Sequence, residues 1–239
     1  MDLLELTLPT AAENVALDEA LLDAAEEGRR VREILRIWEL ERPAVIFGRS
    51  SRVHEEVNVE ECRRQGIEIV RRPSGGAAIV AGPGCLMYSL VLSYSARPEL
   101  RYLDHAHAFV LGRLAEALAR HVTGVTHCGT SDLALAGRKF SGNSMRAKRD
   151  WFLYHGTLLY AFELPRIAAL LKTTPRQPDY RSGRSHDEFV ANLPLPRPEI
   201  VQAVIDAFGG KDLAADWPQA EVARLVAERY GAQHWTYQR

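Results

Sequence analysis

The chain has 239 residues, 46% of them hydrophobic, with a formal net charge of -1. That length builds one large domain, or a domain with a small appendage, and the near-neutral balance lacks the basic footprint of a nucleic-acid binder. The three cysteines, Cys62, Cys85 and Cys128, fit neither a zinc ribbon nor a CxxC redox pair and read as free thiols of a reducing compartment.

At the N-terminus, residues 1–10 carry Asp2 and Glu5 without a basic start, so no signal peptide is read there. Thr10 followed by Glu13 predicts a capping box. The helix it opens carries Val15, Leu17, Leu21 and Leu22 and stops near Gly28. Ile34 to Leu40 and Ala44 to Gly48 read as strands, broken by Arg42-Pro43. Asn58 to Gln65 is a short helix closed by Gly66, and Ile67 to Arg72 is a strand entering the turn Pro73-Ser74-Gly75-Gly76. Ala77 to Ala81 and Leu86 to Ser93 are strands on either side of Gly82-Pro83-Gly84. Leu103, Ala106, Val110, Leu114, Ala117 and Leu118 form a helical stripe. Short strands follow at Val125 to Cys128, Asp132 to Ala136, Arg138 to Ser144 and Trp151 to Tyr160, then a helix near Pro165 to Leu171. Thr173 to Ser185 is polar and loop-like, and residues 195–239 read as a helical tail. No apolar stretch approaches a membrane span. The expectation is a soluble, cytoplasmic α+β protein with a mixed, largely antiparallel sheet flanked by helices.

Three segments carry chemistry. Arg71-Arg72-Pro73-Ser74-Gly75-Gly76-Ala77-Ala78 combines small residues, which let a backbone approach an anion closely, with hydrogen-bond donors. Strand alternation sends Arg71 and Arg72 to opposite faces, so only one reaches a phosphate in the site. It is not a Walker loop, which needs Gly-Lys-Ser/Thr and a following helix. Taken alone, a tight turn with two surface arginines is the better reading. In the run from Asp132 to Ser144, Ala136-Gly137 reads as a turn that sets Asp132 and Lys139 on paired strands. Lys139, near Ser141 and Gly142, suits gripping a carboxylate or phosphate as a point charge, although a lone hairpin lysine is usually solvated. Trp151 to Leu159 places His155 beside Gly156 in an apolar strand, where a histidine is more often a satisfied core residue than a catalyst.

Together these runs, RRPSGGAA, GPGCLMYSL, DLALAGRKFSGNS and YHGTLL, resemble in this order the lipoate–protein ligase and octanoyltransferase superfamily. The segments Asn14 to Ala20, Ala44 to Arg49 and Tyr180 to His186 are similar as well, the last to ligase-type members. The resemblance spans roughly residues 1–195. It implies a biotin/lipoate ligase-like fold and a single catalytic domain over residues 1–239, with no full accessory domain in 195–239. It implies that Ser74, Gly75, Gly76, Ala77 and Arg72 pack over an acyl-adenylate. Lys139 contacts its carboxyl and phosphate, and Asp132 lies near the nucleotide and a magnesium ion. Cys85 lies near the adenine, Ser141 and Gly142 line the substrate, and His155 and Gly156 border the acyl pocket. Val70, Ile79 and Leu158 are candidates for an apolar slot.

The implied activity is ATP-dependent activation of lipoate to lipoyl-AMP, then transfer to a lysine of a lipoyl-domain or glycine-cleavage H-like acceptor protein. ATP and Mg2+ are the expected cofactors, and a separate small accessory subunit is an expected partner; nucleic acid and membrane are not. The larger departure from the family pattern is length: after Leu195 there is only about two helices' worth of sequence where classical long ligases carry an accessory domain, which is why a separate subunit is expected. Cys85 stands where some members have asparagine, and two further positions differ. Ala77 replaces a common third glycine, and Ala81 stands where many members carry histidine. The rival readings are an octanoyl or lipoyl transferase using no ATP, with Cys128 as its one candidate nucleophile, and a non-catalytic lipoate-binding protein. A biotin ligase is disfavoured by the lack of a Gly-Arg-Gly-Arg run. The Ser185-His186-Asp187 run holds triad residue types, but sequence neighbours cannot adopt triad geometry.

Overall fold

The computed structural model describes residues 1–172, 177–213 and 216–238. The chain opens with β1 (Asp2–Glu5), α1 (Ala11–Glu26), β2 (Ile34–Trp38) and β3 (Ala44–Phe47). The short helices α2 (Val53–Glu56) and α3 (Val59–Gln65) lead to β4 (Glu68–Arg71), β5 (Ile79–Ala81) and β6 (Cys85–Ser93). Then come α4 (Leu103–Ala119), β7 (Val125–Cys128), β8 (Asp132–Leu135), β9 (Arg138–Ala147) and β10 (Trp151–Leu159). The C-terminal part holds α5 (Pro165–Leu170), α6 (His186–Phe189), α7 (Arg197–Phe208), β11 (Asp212–Leu213), α8 (Gln219–Leu225) and α9 (Gln233–Thr236).

Local chemistry explains the boundaries. Thr10 accepts from the Glu13 amide while Glu13 reaches back to Thr10, so the capping box forms and starts α1. Gly66 closes α3 at φ 64°, a left-handed stop that glycine adopts without penalty. Ala136 and Gly137, both at positive φ, make the two-residue hairpin turn between β8 and β9.

An eight-stranded sheet runs in the order β11-β1-β2-β6-β10-β9-β8-β7. Its β11–β1 and β1–β2 pairings are parallel and the others antiparallel. A small sheet, β4-β3-β5, stands apart. The expected mixed, mainly antiparallel α+β architecture is present. All residues of the central strand β6 are buried, because both faces are covered. Met87 and Val91 pack with α1 and the small sheet, while Leu86, Tyr88, Leu90 and Leu92 pack with α4 and α7. This alternation sorts the polar side chains too: those on the α1 side enter the site.

Several elements differ from expectation, among them the short helices α2 and α6, which the sequence analysis does not predict. β1, four residues long, carries no periodic signal of its own. Residues 195–239, expected as helical, also contain β11, whose two residues extend the sheet beyond β1. A strand that short has no periodicity to detect. Of the expected loop Thr173 to Ser185, residues 173–176 lie outside the described ones; the remainder holds a 3-10 turn at Asp179–Arg181. No helix among the described residues is long and apolar enough to cross a membrane.

Candidate active site

The segment after β4 makes a cradle of backbone amides. Arg71 and Arg72 do point opposite ways. Arg71 is fully buried against the C-terminal segment, donating to the carbonyls of Thr236 at 2.8 Å and Ser51 at 2.7 Å, 4.4 Å from the centre of the Phe47 ring. Arg72 faces the site, but its guanidinium serves the turn itself. It donates to Ser74 Oγ (3.0 Å), to the Gly75 carbonyl, to the Ala77 carbonyl (3.0 Å) and to the Ile46 carbonyl (3.2 Å). Burial lowers its pKa to about 10, which leaves it charged at neutral pH.

The other carbonyls are also tied. The Arg49 amide donates to Ser74 O at 2.8 Å, Ser51 Oγ to Gly76 O at 3.2 Å, and Ser144 Oγ to Gly75 O at 2.9 Å. With the carbonyls held away, the amides of Gly75, Gly76 and Ala77 donate to no acceptor among the described residues. Successive unspent N–H groups of this kind form an anion-binding nest. Gly76 sits at φ 85° and a Cβ there would lie 2.9 Å from Arg72 Nη2, so the turn requires glycine at that position. Ala77 is not among the positive-φ residues, so its methyl costs the backbone nothing.

Lys139 is delivered by the β8–β9 hairpin. The register runs Asp132↔Gly142 and Leu133↔Ser141, then slips so that Ala134 faces Lys139. Such a bulge re-aims a side chain. Lys139 Nζ lies 2.7 Å from Asp132 Oδ1, and Tyr180 donates to Asp132 Oδ2 at 2.8 Å. A Cβ on Gly142 would sit 2.9 Å from Lys139 Nζ, so the missing side chain leaves the lysine its path.

Beneath α1 a polar row crosses the sheet. Arg36, Ser89, His155 and Ser144 pair in register across β2, β6, β10 and β9. Asp18 descends from α1 onto this row. Its Oδ1 accepts from Arg36 Nη1 at 2.7 Å; its Oδ2 accepts from Ser89 Oγ at 2.6 Å and lies 3.3 Å from His155 Nδ1. His155 Nε2 lies 2.6 Å from Ser74 Oγ. Burial alone would raise the Asp18 pKa, but Arg36, then His155 and Ser89, hold it below its ordinary value.

Two chambers meet at Lys139. The first, about 130 Å³, has an apolar wall of Val15, Trp38, Ile46, Ile79 and Met87 and a polar end of Arg72, Gly76, Ala77, Asp132, Lys139, Gly142, His155 and Gly156. The second, about 140 Å³, shares Ala77, Ala78, Ile79, Lys139, Gly142 and Thr157 with the first. Its own walls include Phe140, Ser141, Leu159, Ile167, Leu171, Phe189 and Val190, with the basic Lys172, Arg181 and His186. No acidic side chain lines it among the described residues. Burial, and then Arg181, lower the His186 pKa, which favours its neutral form.

The sequence-predicted residues therefore converge, with exceptions. Ser74 and Gly75 stand just behind the first chamber's wall. Cys85 does not join them: it is fully buried beside Met87, at 4.0 Å between sulfurs, and burial pushes its thiol pKa well up. In the expected apolar slot only Ile79 lines a chamber. Val70 is core of the small-sheet side, and Leu158 faces α4 and α7 because alternation on β10 sends His155, Thr157 and Leu159 the other way. The residues missed by sequence reasoning are Asp18, Arg36, Ser89, Trp38, Asn143 and Thr157. The available signal was a charge inside the apolar runs Ile34–Trp38 and Val15–Leu22.

Gly156 shows how tightly the floor is built. A Cβ there would fall 1.7 Å from Asn143 Oδ1 and 2.9 Å from the Tyr88 ring. Gly156→Ala is expected to cost about 1–3 kcal/mol by overpacking, read as a lower denaturation midpoint. An unchanged midpoint would mean that Asn143 moves aside freely.

Comparison with known proteins places this arrangement. The chain belongs to the lipoyl protein ligase A/B catalytic domain family, which it matches over residues 10–209. It is 26% identical to octanoyltransferase LipM of Carboxydothermus hydrogenoformans, across 95% of each chain. It is 25% identical to lipoate–protein ligase 1 of Staphylococcus aureus, across 95% of this chain and 70% of that one. Among solved structures, a lipoate-protein ligase A bound with ATP superposes with TM-score 0.81 at 21% identity, covering 99% of this chain and 98% of the other. The bi-partite lipoate protein ligase of Thermoplasma acidophilum, studied with its E2 lipoyl domain, gives 0.79 at 22% identity, covering 99% and 95%. The protein is thus an enzyme of the lipoate ligase and octanoyltransferase family.

Proposed function

We propose that the protein is an ATP-dependent lipoate–protein ligase. The observation that carries this reading is the second chamber: largely apolar, with the cationic Lys139, Lys172 and Arg181 and no acidic side chain among the described residues, and joined to the first at Lys139. The acyl chain occupies the first chamber against Trp38, Ile46, Ile79 and Met87. The nucleotide occupies the second. The carboxyl–phosphate junction falls at Lys139 and the Gly75–Ala77 amides.

In the first step a lipoate carboxylate oxygen attacks the α-phosphorus of ATP, and pyrophosphate leaves. In the second, a neutral lysine amine of the acceptor attacks the acyl carbon, the C–O bond to phosphate breaks, AMP departs, and the nitrogen loses a proton. Negative charge builds on phosphate and acyl oxygens in both steps. Fixed amides and Lys139 stabilise that charge without reorganising. Both oxygens of Asp132 are engaged, by Lys139 and Tyr180, and no group of three or more potential metal ligands stands together among the described residues. Asp132 would add a single carboxylate to a magnesium ion brought in with ATP, which would neutralise phosphate charge. The proposed partners are a lipoyl-domain or H-like acceptor and, as in the bi-partite Thermoplasma neighbour, a separate accessory subunit.

The second reading, acyl transfer through a Cys128 thioester, draws on the LipM relative. Cys128 pairs directly with Asp132 on neighbouring strands and is half-exposed, yet it lines neither chamber. The test follows the acceptor's mass with lipoate and ATP, with lipoyl-adenylate, or with octanoyl carrier protein. A lipoyl gain from ATP or adenylate supports the ligase; gain from carrier protein alone refutes it. In the ligase, Cys128→Ser retains turnover to within about twofold, because the thiol touches no reacting atom. Loss of all transfer in that variant would establish the thioester route.

A further inference from the structure

Asp18, His155 and Ser74 have the residue types and contact order of a catalytic triad, but they do not present a nucleophile. Ser74 is 1% exposed and absent from both chamber walls, whereas a triad serine must face its substrate. Its oxygen already accepts from Arg72 Nε at 3.0 Å. The Asp18 carboxylate, paired with Arg36, can only accept at His155 Nδ1, so that nitrogen carries the hydrogen. In the neutral ring Nε2 is then bare, and the Ser74 hydroxyl donates to it. Each donor and acceptor named here finds a partner in this arrangement.

We propose that Asp18 and His155 are positioning residues for acyl transfer: they fix the direction of the Ser74 hydroxyl and so the set of the Gly75–Ala77 amides that receive the phosphate. This rests on the acyl-adenylate reading above. The array ties helix α1, three strands of the large sheet and the turn into one rigid unit, with Arg36 as its foot. Rigidity there matters because a donor misplaced by about an ångström forfeits much of its rate contribution.

The variants His155→Asn and Ser74→Ala cut the array at different points. The asparagine amide stands in for Nδ1 and keeps Asp18 engaged, while Nε2 is lost. Ser74→Ala removes only a hydroxyl and keeps His155 on Asp18, which guards against a folding failure of the first variant. The full chain is assayed with presynthesised lipoyl-adenylate and a lipoyl-domain acceptor. Each variant is expected to lose kcat/KM for the adenylate by about 10- to 100-fold, with KM for the acceptor unchanged. The double variant should be no worse than the worse single one, because the two groups act as a unit. Additive losses, unchanged turnover, or covalent labelling of Ser74 by a fluorophosphonate would overturn the proposal. Wild-type failure to transfer from adenylate would instead overturn the acyl-adenylate reading itself.

Discussion

Replacing Lys139 with alanine is expected to lower acyl transfer by about 10²- to 10³-fold while the protein stays folded. Among the described residues Lys139 is the one basic side chain common to both chamber walls, and it stands where the proposed adenylate would join its carboxyl to its phosphate. The loss should appear in kcat with adenylate as donor, since charge on the acyl oxygen grows towards the transition state. Stability should change little: the side chains of Lys139 and Asp132 are 28% and 9% exposed, and Tyr180 still donates to Asp132. A partly solvated pair of this kind contributes about 1 kcal/mol or less. Near-normal turnover by Lys139→Ala would remove the lysine from the site.

Arg36→Met is expected to have the largest effect on stability, a loss of about 3–5 kcal/mol. Arg36 and Asp18 are both buried, at 0% and 1% exposure, and the arginine also donates to the carbonyls of Leu6 and Asn14. Removing it strands a carboxylate in the core. Against a typical total of about 5–15 kcal/mol, that loss brings the variant close to unfolding. The pH dependence has a definite sign. In the wild type the Asp18 pKa is held below its ordinary 3.8, so its contribution is present above that value and is lost as pH falls through the depressed one. In the variant, burial acts with less opposition and raises the pKa. The gap between the two proteins should therefore be widest near neutrality and narrow towards pH about 4. Denaturant titrations at several pH values measure it, and a gap independent of pH would contradict the account.

The fold was legible wherever a periodic signal was long or a turn had its own chemistry. α1 announced itself through the Thr10–Glu13 box, α4 through its stripe, and the β8–β9 hairpin through Ala136-Gly137. β1 and β11 were not legible, because strands this short are defined by their neighbours rather than by their own pattern. The site divided the same way. Ordered motifs identified the cradle and Lys139, since the small residues and the lysine have local reasons to be where they are. The array of Asp18, Arg36, Ser89 and His155 joins helix α1 to three strands and is visible only once the sheet register is known. Cys85 was misplaced for a related reason: its neighbours suggested the pocket rim, while its strand position turns it into the core. Arg72 stands on the site face as expected, and its guanidinium also holds the turn's carbonyls.

In the proposed reaction one acyl-adenylate lies across both chambers with its junction at Lys139. A crystal structure with a non-hydrolysable lipoyl-adenylate analogue tests it most directly. The acyl chain is expected between Trp38, Ile79 and Met87, the adenosine between Phe140, Leu171 and Phe189, and the acyl–phosphate linkage within hydrogen-bond reach of Lys139 and the Gly75–Ala77 amides. An adenosine outside the second chamber, or a linkage remote from Lys139, would contradict it.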